Sequence, residues 1–249
     1  MQKRALVVAW YGSTNTEAGE RVIAPLLDEL DMTFPQIRVT EALASARIRE
    51  RLAAQEPDAL SLPPLVNDGV DLLEARGMGP VAVLPLLIAD GPQMTKLRES
   101  LAGTNATVGG PLIADKDDER HVAQALDYAY PARPSHILLL VGHGSRTASD
   151  AVYGRIAQAL RDLGRTDVAS CTMDELPAGL PDRCAVTVVP LMLVAGTHVA
   201  REIAGTNPSS LRARLNAAGH PTEVVRAGLG ELPGVRALAV EHTRALLEA

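Results

Sequence analysis

The feature that most constrains this chain is a pattern that occurs twice. Ala5-Leu6-Val7-Val8-Ala9 leads through Gly12-Ser13 into apolar residues at helical spacing, namely Val22, Ile23, Leu26, Leu27 and Leu30. Ile137-Leu138-Leu139-Leu140-Val141 leads through Gly144-Ser145 into a second helical pattern that runs through Tyr153 to position 163. Farther along, Val81-Ala82-Val83-Leu84-Pro85-Leu86-Leu87-Ile88-Ala89-Asp90-Gly91 is echoed by Val186-Thr187-Val188-Val189-Pro190-Leu191-Met192-Leu193-Val194-Ala195-Gly196. Both stretches run strand, proline, apolar segment, small residues, glycine, helix. Strands alternating with helices in two copies predict an α/β chain of two similar lobes, each a mostly parallel sheet with helices on both faces. The connector Tyr130-Pro131-Ala132-Arg133-Pro134 puts the N-terminal lobe at 1–130 and the C-terminal lobe at 135–249.

Within the first copy the pattern predicts further strands over 37–43, 81–88 and, more weakly, 107–113. Helices are expected over 17–30, 44–55, 65–76, 94–101 and 121–130, with Pro25 marking a first turn or a kink. Residues 44–64 have no counterpart in the second copy and read as an inserted helix. In the second copy, residues 166–171 form the intervening strand.

Composition closes off several functions. Net charge is −6 and aromatic content only 2%, so neither a basic stripe nor a base-stacking platform for nucleic acid is present. Cys171 and Cys184 are too few for a disulfide framework or a four-thiolate zinc site. The basic start, Met1-Gln2-Lys3-Arg4, precedes an apolar run too short for a signal peptide, and no run reaches membrane-spanning length. A cytoplasmic protein with no membrane partner is the expectation. Apolar helix faces leave room for a homo-oligomer.

The chemistry is expected in the second lobe. Five apolar residues, Ile137 to Val141, read as a strand buried on both faces, and His143 follows between two glycines. That presents an imidazole at the carboxyl end of a parallel strand, where ligands bind in open α/β sheets. His198 stands two residues after Gly196 and follows the neighbouring strand. The first copy has Tyr11 in the place of His143, and its match to His198 falls near Gln93, so a single active site is expected. Of the six histidines, His121 and His242 lie on charged helices, His136 opens a strand and His220 sits in a Gly-His-Pro turn; these read as structural.

Between the two candidate histidines, Asp174 and Glu175 fall at the carboxyl end of the intervening strand. Two neutral imidazoles and a carboxylate suit a divalent first-row metal, although a charged loop before Pro177 is also ordinary. Gly142-His143-Gly144-Ser145 matches neither the GxGxxG nor the GxxxxGK[ST] pattern, so no nucleotide is expected. Ser145 could serve as a nucleophile, but GHGS is not the GxSxG elbow. Gly12-Ser13-Thr14 and Gly144-Ser145 would offer N–H groups and hydroxyls to carboxylates.

Leu-Leu-Val-Gly-His-Gly-Ser at 139–145 and Pro-Leu-Met-Leu-Val-Ala-Gly-Thr-His at 190–198 resemble the anaerobic sirohydrochlorin cobaltochelatases of the class II chelatase superfamily. The second stretch, continued by Asn216-Ala217-Ala218-Gly219, is the more specific, and the resemblance extends over the whole chain. It implies two α/β lobes with a cleft between them and ATP-independent insertion of a divalent metal into a tetrapyrrole. It also implies metal-binding and catalytic roles for His143 and His198 and for an acidic residue in the segment Thr172-Met173-Asp174-Glu175-Leu176-Pro177. Here the chain departs from the family pattern Thr-x-Glu-Gly-x-Pro: Asp174 stands at the Glu position and Glu175 at the Gly position. Leu87 stands where many relatives place a histidine.

A macrocycle that is apolar in its ring and carboxylated at its rim needs apolar walls and polar donors. The candidates are Leu86, Leu87, Met94, Leu191, Met192, Ser13, Thr14, Ser145 and Arg146, with Trp10 and Tyr11 beside them; Trp10 also reads as a core anchor. The expected activity is insertion of Co²⁺ into sirohydrochlorin in the anaerobic cobalamin pathway. The alternatives are a nickel or iron chelatase, a metal- or tetrapyrrole-binding protein without turnover, and a hydrolase using Ser145.

Overall fold

The computed structural model describes residues 4–55 and 62–248. Lys3 of the basic start and part of the 44–64 insertion lie outside the described residues. The elements in order are β1 Ala5–Trp10, α1 Thr16–Thr33, β2 Arg38–Leu43, α2 Ala46–Gln55, α3 Val66–Ala75, β3 Val81–Pro85, α4 Pro92–Ser100, β4 Thr107–Val108 and α5 Lys116–Ala129. There follow β5 His136–Gly142, α6 Ala151–Asp162, β6 Val168–Thr172, β7 Ala185–Pro190, α7 Leu211–Ala217, β8 Thr222–Val224 and α8 Pro233–Glu248.

The strands form two four-stranded parallel sheets, ordered β2-β1-β3-β4 and β6-β5-β7-β8. The order is the same once the second copy is shifted by four strands, so the repeat seen in the residues is a repeat of topology. It is also a repeat of register. Ala9 pairs with Pro85 in one sheet, and Val141 pairs with Pro190 in the other. Each proline lacks an N–H for the ladder and ends its strand. The next residue then reaches back: Leu86 N–H donates to Ala9 O at 2.7 Å, and Leu191 N–H donates to Val141 O at 2.8 Å.

Burial follows position in the sheet. All of Ala5-Leu6-Val7-Val8-Ala9-Trp10 is buried, as a central strand covered on both faces requires. The edge strands β2 and β6 carry Arg38, Thr40, Glu41, Ser170 and Thr172 and are only partly covered. Helix starts follow their side chains. Asn15 Oδ1 accepts the Ala18 N–H of α1, Asp115 accepts the N–H groups of Asp117 and Asp118 at α5, and Ser210 accepts the Ala213 N–H of α7. Pro92 opens α4, where a missing N–H costs nothing.

Three expectations shift. Pro25 lies well inside α1, which runs on for 18 residues. The strand expected over 107–113 is only Thr107–Val108, because the chain beyond it bonds to a loop: Leu112 N–H meets Leu87 O and Ile113 N–H meets Ile88 O. And α5 starts at Lys116, five residues before His121, because Asp115 caps it there.

The chain divides into two compact units, Met1–Ala114 with Arg236–Ala249, and Asp115–Val235. This differs from lobes at 1–130 and 135–249. Helix α5 goes with the second unit, where Glu119 pairs with Arg155 of α6 and Asp127 accepts from Arg165 at 2.7 Å. Most of α8 goes with the first, where Arg236 donates to Glu29 at 2.7 Å and Arg4 to Leu247 O at 2.8 Å. Among the described residues no helix is long and apolar enough to cross a membrane.

Candidate functional site

In the second unit the chain order reverses between β5 and β7, which lie side by side with β6 on one flank and β8 on the other. The carboxyl ends of strands at such a switch point are where open α/β sheets bind ligands. His143 is the first residue after β5, and His198 closes the loop after β7. The two rings meet edge to face, with centroids 4.6 Å apart and planes inclined at 82°. Both residues are exposed.

Each imidazole has one nitrogen already engaged. His143 Nδ1 lies 3.2 Å from Gly144 O, and His198 Nδ1 lies 2.8 Å from Glu202 Oε2. A carbonyl and a carboxylate can only accept, so the hydrogen bonds assign both neutral rings as the Nδ1–H tautomer. The lone pairs then sit on the two Nε2 atoms, the arrangement of histidines that ligate metals while a neighbour fixes the other nitrogen.

The loop under His143 is built rigidly. A Cβ at Gly142 would lie 2.1 Å from the Tyr153 ring, so only glycine lets that ring pack against the strand end. Burial, with the Asp150 charge second, pushes the Tyr153 phenol above its ordinary value, against the pull of the His143 and Gly144 backbone. Gly144 takes φ +83, which side chains avoid. Its counterpart in the first unit, Gly12, takes φ +92.

Asp150 closes the turn. Its carboxylate accepts from Ser145 N–H at 2.8 Å, Arg146 N–H at 2.7 Å and Ser145 Oγ at 2.7 Å. Partial burial opposes its ionisation, but these hydrogen bonds outweigh that and hold it below the usual aspartate value. The expected carboxylate cradle at Gly144-Ser145 therefore exists but is filled by the chain's own Asp150. Ser145 is tied into the same network, with Thr147 Oγ1 at 2.7 Å and Ser149 Oγ at 3.2 Å. Its hydroxyl donates to Asp150 and not to a histidine, which removes the arrangement a serine nucleophile needs.

The loop carrying His198 is stitched from the other side. Leu229 N–H bonds Met192 O at 2.8 Å and Gly230 N–H bonds Leu193 O at 3.0 Å. Met192 itself is half-buried. His198 then enters a single π-helical turn, Val199–Ile203, closed by Ala204 N–H on Val199 O at 2.8 Å. Such turns recur at functional sites.

The middle acidic residues lie on a turn beside the first loop. Met173 N–H donates to Gly142 O at 3.0 Å, and Glu175 N–H to Thr172 O at 3.1 Å. Asp174 is exposed and faces Arg146 at 3.8 Å. Among the described residues, neither carboxylate is gathered with the histidines, and no group of three or more His, Cys, Asp or Glu is placed to hold a metal. Burial pushes the Cys171 thiol up to about 12, with the Glu175 charge adding to it, and burial also raises Cys184. Neither is a ready thiolate ligand.

Several expected wall residues are core residues instead. Trp10 is 7% exposed; its Nε1–H donates to Glu41 Oε2 at 3.0 Å and its ring covers Gly19, where a Cβ would lie 2.9 Å away. Leu86, Leu87 and Met94 are buried, because the chain after Pro85 is bonded back to residues 112 and 113 and its apolar side chains turn inward. Ser13 is buried and its Oγ accepts Asn15 N–H at 3.1 Å; Thr14 is half-buried. Tyr11 stays exposed.

His136 and His220 serve the framework, His136 with Nδ1 at 3.0 Å from Pro134 O and His220 beside Cys184 Sγ at 3.4 Å. A cavity of about 340 Å³ lies toward the amino ends of the second sheet, lined among others by Tyr130, Arg133, His136, Arg165, Thr187 and Glu223. Its charges are paired with one another, Arg133 with Glu223 and Arg165 with Asp167, and it holds neither His143 nor His198. Sequence reasoning passed over Asp150, Tyr153 and Glu202. Only Glu202 had a signal, its place four residues after His198 on a helical turn.

Two parallel sheets of this order are the chelatase-like α/β fold. It is shared with SirB from Bacillus subtilis, solved with Fe³⁺, at a TM-score of 0.66 and 14% identity over 98% of this chain and 96% of that one. It is shared too with DR2241 from Deinococcus radiodurans, a multi-domain protein described as similar to chelatases, at a TM-score of 0.58 and 15% identity over 96% of this chain and 54% of that one. The chain belongs to the cobalt chelatase (CbiK) family, whose model matches residues 4–248. It is 28% identical to the sirohydrochlorin cobaltochelatase of Salmonella typhimurium over 96% of this chain and 95% of that protein. It is 29% identical to the sirohydrochlorin cobaltochelatase CbiKC of Nitratidesulfovibrio vulgaris over 100% of this chain and 92% of that protein.

Proposed function

We propose that the protein inserts Co²⁺ into sirohydrochlorin without a nucleotide, as a step of anaerobic cobalamin synthesis. The observation that carries this reading is the pair His143 and His198, 4.6 Å apart, each with Nδ1 engaged and Nε2 open. Family membership and the two relatives named as sirohydrochlorin cobaltochelatases support it.

In this reading both Nε2 atoms hold the incoming cation. An imidazole titrates near neutrality, so as the metal enters the ring the same nitrogens can accept the pyrrole protons it displaces. Asp174 or Glu175, on the turn bonded to Gly142, supplies the acidic partner that balances charge. Met192, half-buried on the loop that leads to His198, and the exposed Ser145 remain as the candidates for contact with the macrocycle.

The test is an anaerobic mixture of protein, sirohydrochlorin and Co²⁺, followed by absorbance, with His143→Ala and His198→Ala beside it. Insertion faster than the uncatalysed rate, lost in both variants, is the expected result. A spectral shift that saturates with protein and never turns over would replace the enzyme with a carrier. Running Ni²⁺ and Fe²⁺ in parallel decides the metal, because affinity order alone does not set selection.

A further inference from the structure

The two histidines are not backed alike. The partner of His143 Nδ1 is a neutral carbonyl at 3.2 Å, whereas the partner of His198 Nδ1 is the Glu202 carboxylate at 2.8 Å. The contact is built into the turn. Val199 and Ile203, four apart, are 1% and 0% exposed and fasten the turn's inner face to the core of the second unit. His198 and Glu202, also four apart, share the outer face, with side chains 54% and 49% exposed. The π-helical turn between them is held by Ala204 N–H on Val199 O.

We propose that Glu202 is a positioning residue for His198. It holds the imidazole as the Nδ1–H tautomer, aims Nε2 outward, and makes that nitrogen the more electron-rich of the pair. His198 is then the stronger donor to a cation, and His143 the weaker. The inference rests on the functional reading of His198 given above. Partners of this kind behind a metal-binding histidine typically change metal affinity about 10- to 100-fold.

The experiment uses ¹⁵N-histidine-labelled full-length protein at about pH 8, where an ordinary imidazole is neutral. Long-range ¹H–¹⁵N correlations report which ring nitrogen carries the proton, with no metal and no tetrapyrrole present. His198 is expected as Nδ1–H in the native protein and predominantly as Nε2–H in Glu202→Ala. Co²⁺ alone is then titrated by its visible absorption, with a loss of affinity of about 10- to 100-fold expected in Glu202→Ala. Glu202→Gln keeps the length and an acceptor oxygen but not the charge; it should keep the tautomer and lose affinity to a smaller degree. It also serves if the alanine variant fails to fold.

A native His198 that carries its proton on Nε2 would overturn the proposal. So would a Glu202→Ala protein that keeps native Co²⁺ affinity. Failure of the wider functional reading looks different: Co²⁺ binding would be indifferent to His143→Ala and His198→Ala, while the tautomer measurement would still report on Glu202 by itself.

Discussion

Tyr153 lies against Gly142 so closely that a methyl group on the glycine would fall 2.1 Å from the aromatic ring. The first candidate histidine is thus placed by a tyrosine on a helix as much as by the strand it follows. Gly142→Ala must displace the ring, and overpacking of this kind costs about 1–3 kcal/mol. Urea unfolding should show that loss, and Co²⁺ binding should weaken with it. Tyr153→Phe keeps the ring against Gly142, so it should retain most of the stability that Gly142→Ala loses. Wild-type stability in Gly142→Ala would show that the ring has room to move.

Asp150 makes a pH-dependent contribution of known sign. Its native carboxyl titrates below the ordinary value of 3.8, so folding favours the ionised form. The stability it adds is complete above that ordinary value and is lost as pH falls through the lower native one. Asp150→Asn should therefore lower the urea midpoint at pH 7. The gap to the parent protein should close as the pH is taken through and below the native value. A gap that is constant with pH would mean that the loop responds to the side chain's shape and not to its charge.

Arg165 is held as a structural cation. Its side chain is 7% exposed and donates to Asp127, Asp167 and Tyr130 O, which lowers the Asp167 pKa and raises its own. Removing one member of a buried pair costs about 3–5 kcal/mol, and the partial exposure of Asp127 places Arg165→Ala at the lower end, about 3 kcal/mol. Chemical denaturation should record that loss, while Co²⁺ affinity per folded molecule stays at the native value. A selective loss of cation binding would move Arg165 into the functional machinery.

Trp10 supplies the converse case of a buried acid. Burial, chiefly, raises the Glu41 carboxyl above its ordinary 4.5, while the Trp10 indole N–H pulls it down and the Glu20 charge adds to the rise. A raised native value means that ionised Glu41 opposes folding, increasingly as pH climbs past 4.5. Trp10→Phe deletes the N–H donor and raises Glu41 further. Its stability deficit should be larger at pH 7 than at pH 4, by thermal or urea unfolding. Tetrapyrrole binding should be unchanged, since the ring sits in the core.

The parts of this molecule that were legible in its residues are those set by local repetition. Five apolar residues before Gly142 mark a strand covered on both faces, and Pro85 and Pro190 mark the equivalent strand ends. The two histidines could be singled out because each follows such a strand. What escaped depends on contacts between distant residues. Nothing in the order of α5 and α8 says which sheet each one covers; Glu119 with Arg155, and Arg236 with Glu29, decide it. Leu86, Leu87 and Met94 have the composition of a ligand wall, and only the closure of the chain onto residues 112 and 113 turns them inward. Asp150 carries no signal in the sequence, and its role shows only in the loop folded around its oxygens.

Ring and glycine are placed in opposite ways in the two copies. In the first unit the strand brings the ring, Trp10, and the helix brings the glycine, Gly19; in the second the strand ends in Gly142 and the helix brings Tyr153. Neither partner of such a pair can drift toward the other copy's residue by itself, since one intermediate puts two rings in the space of one and the other leaves it hollow.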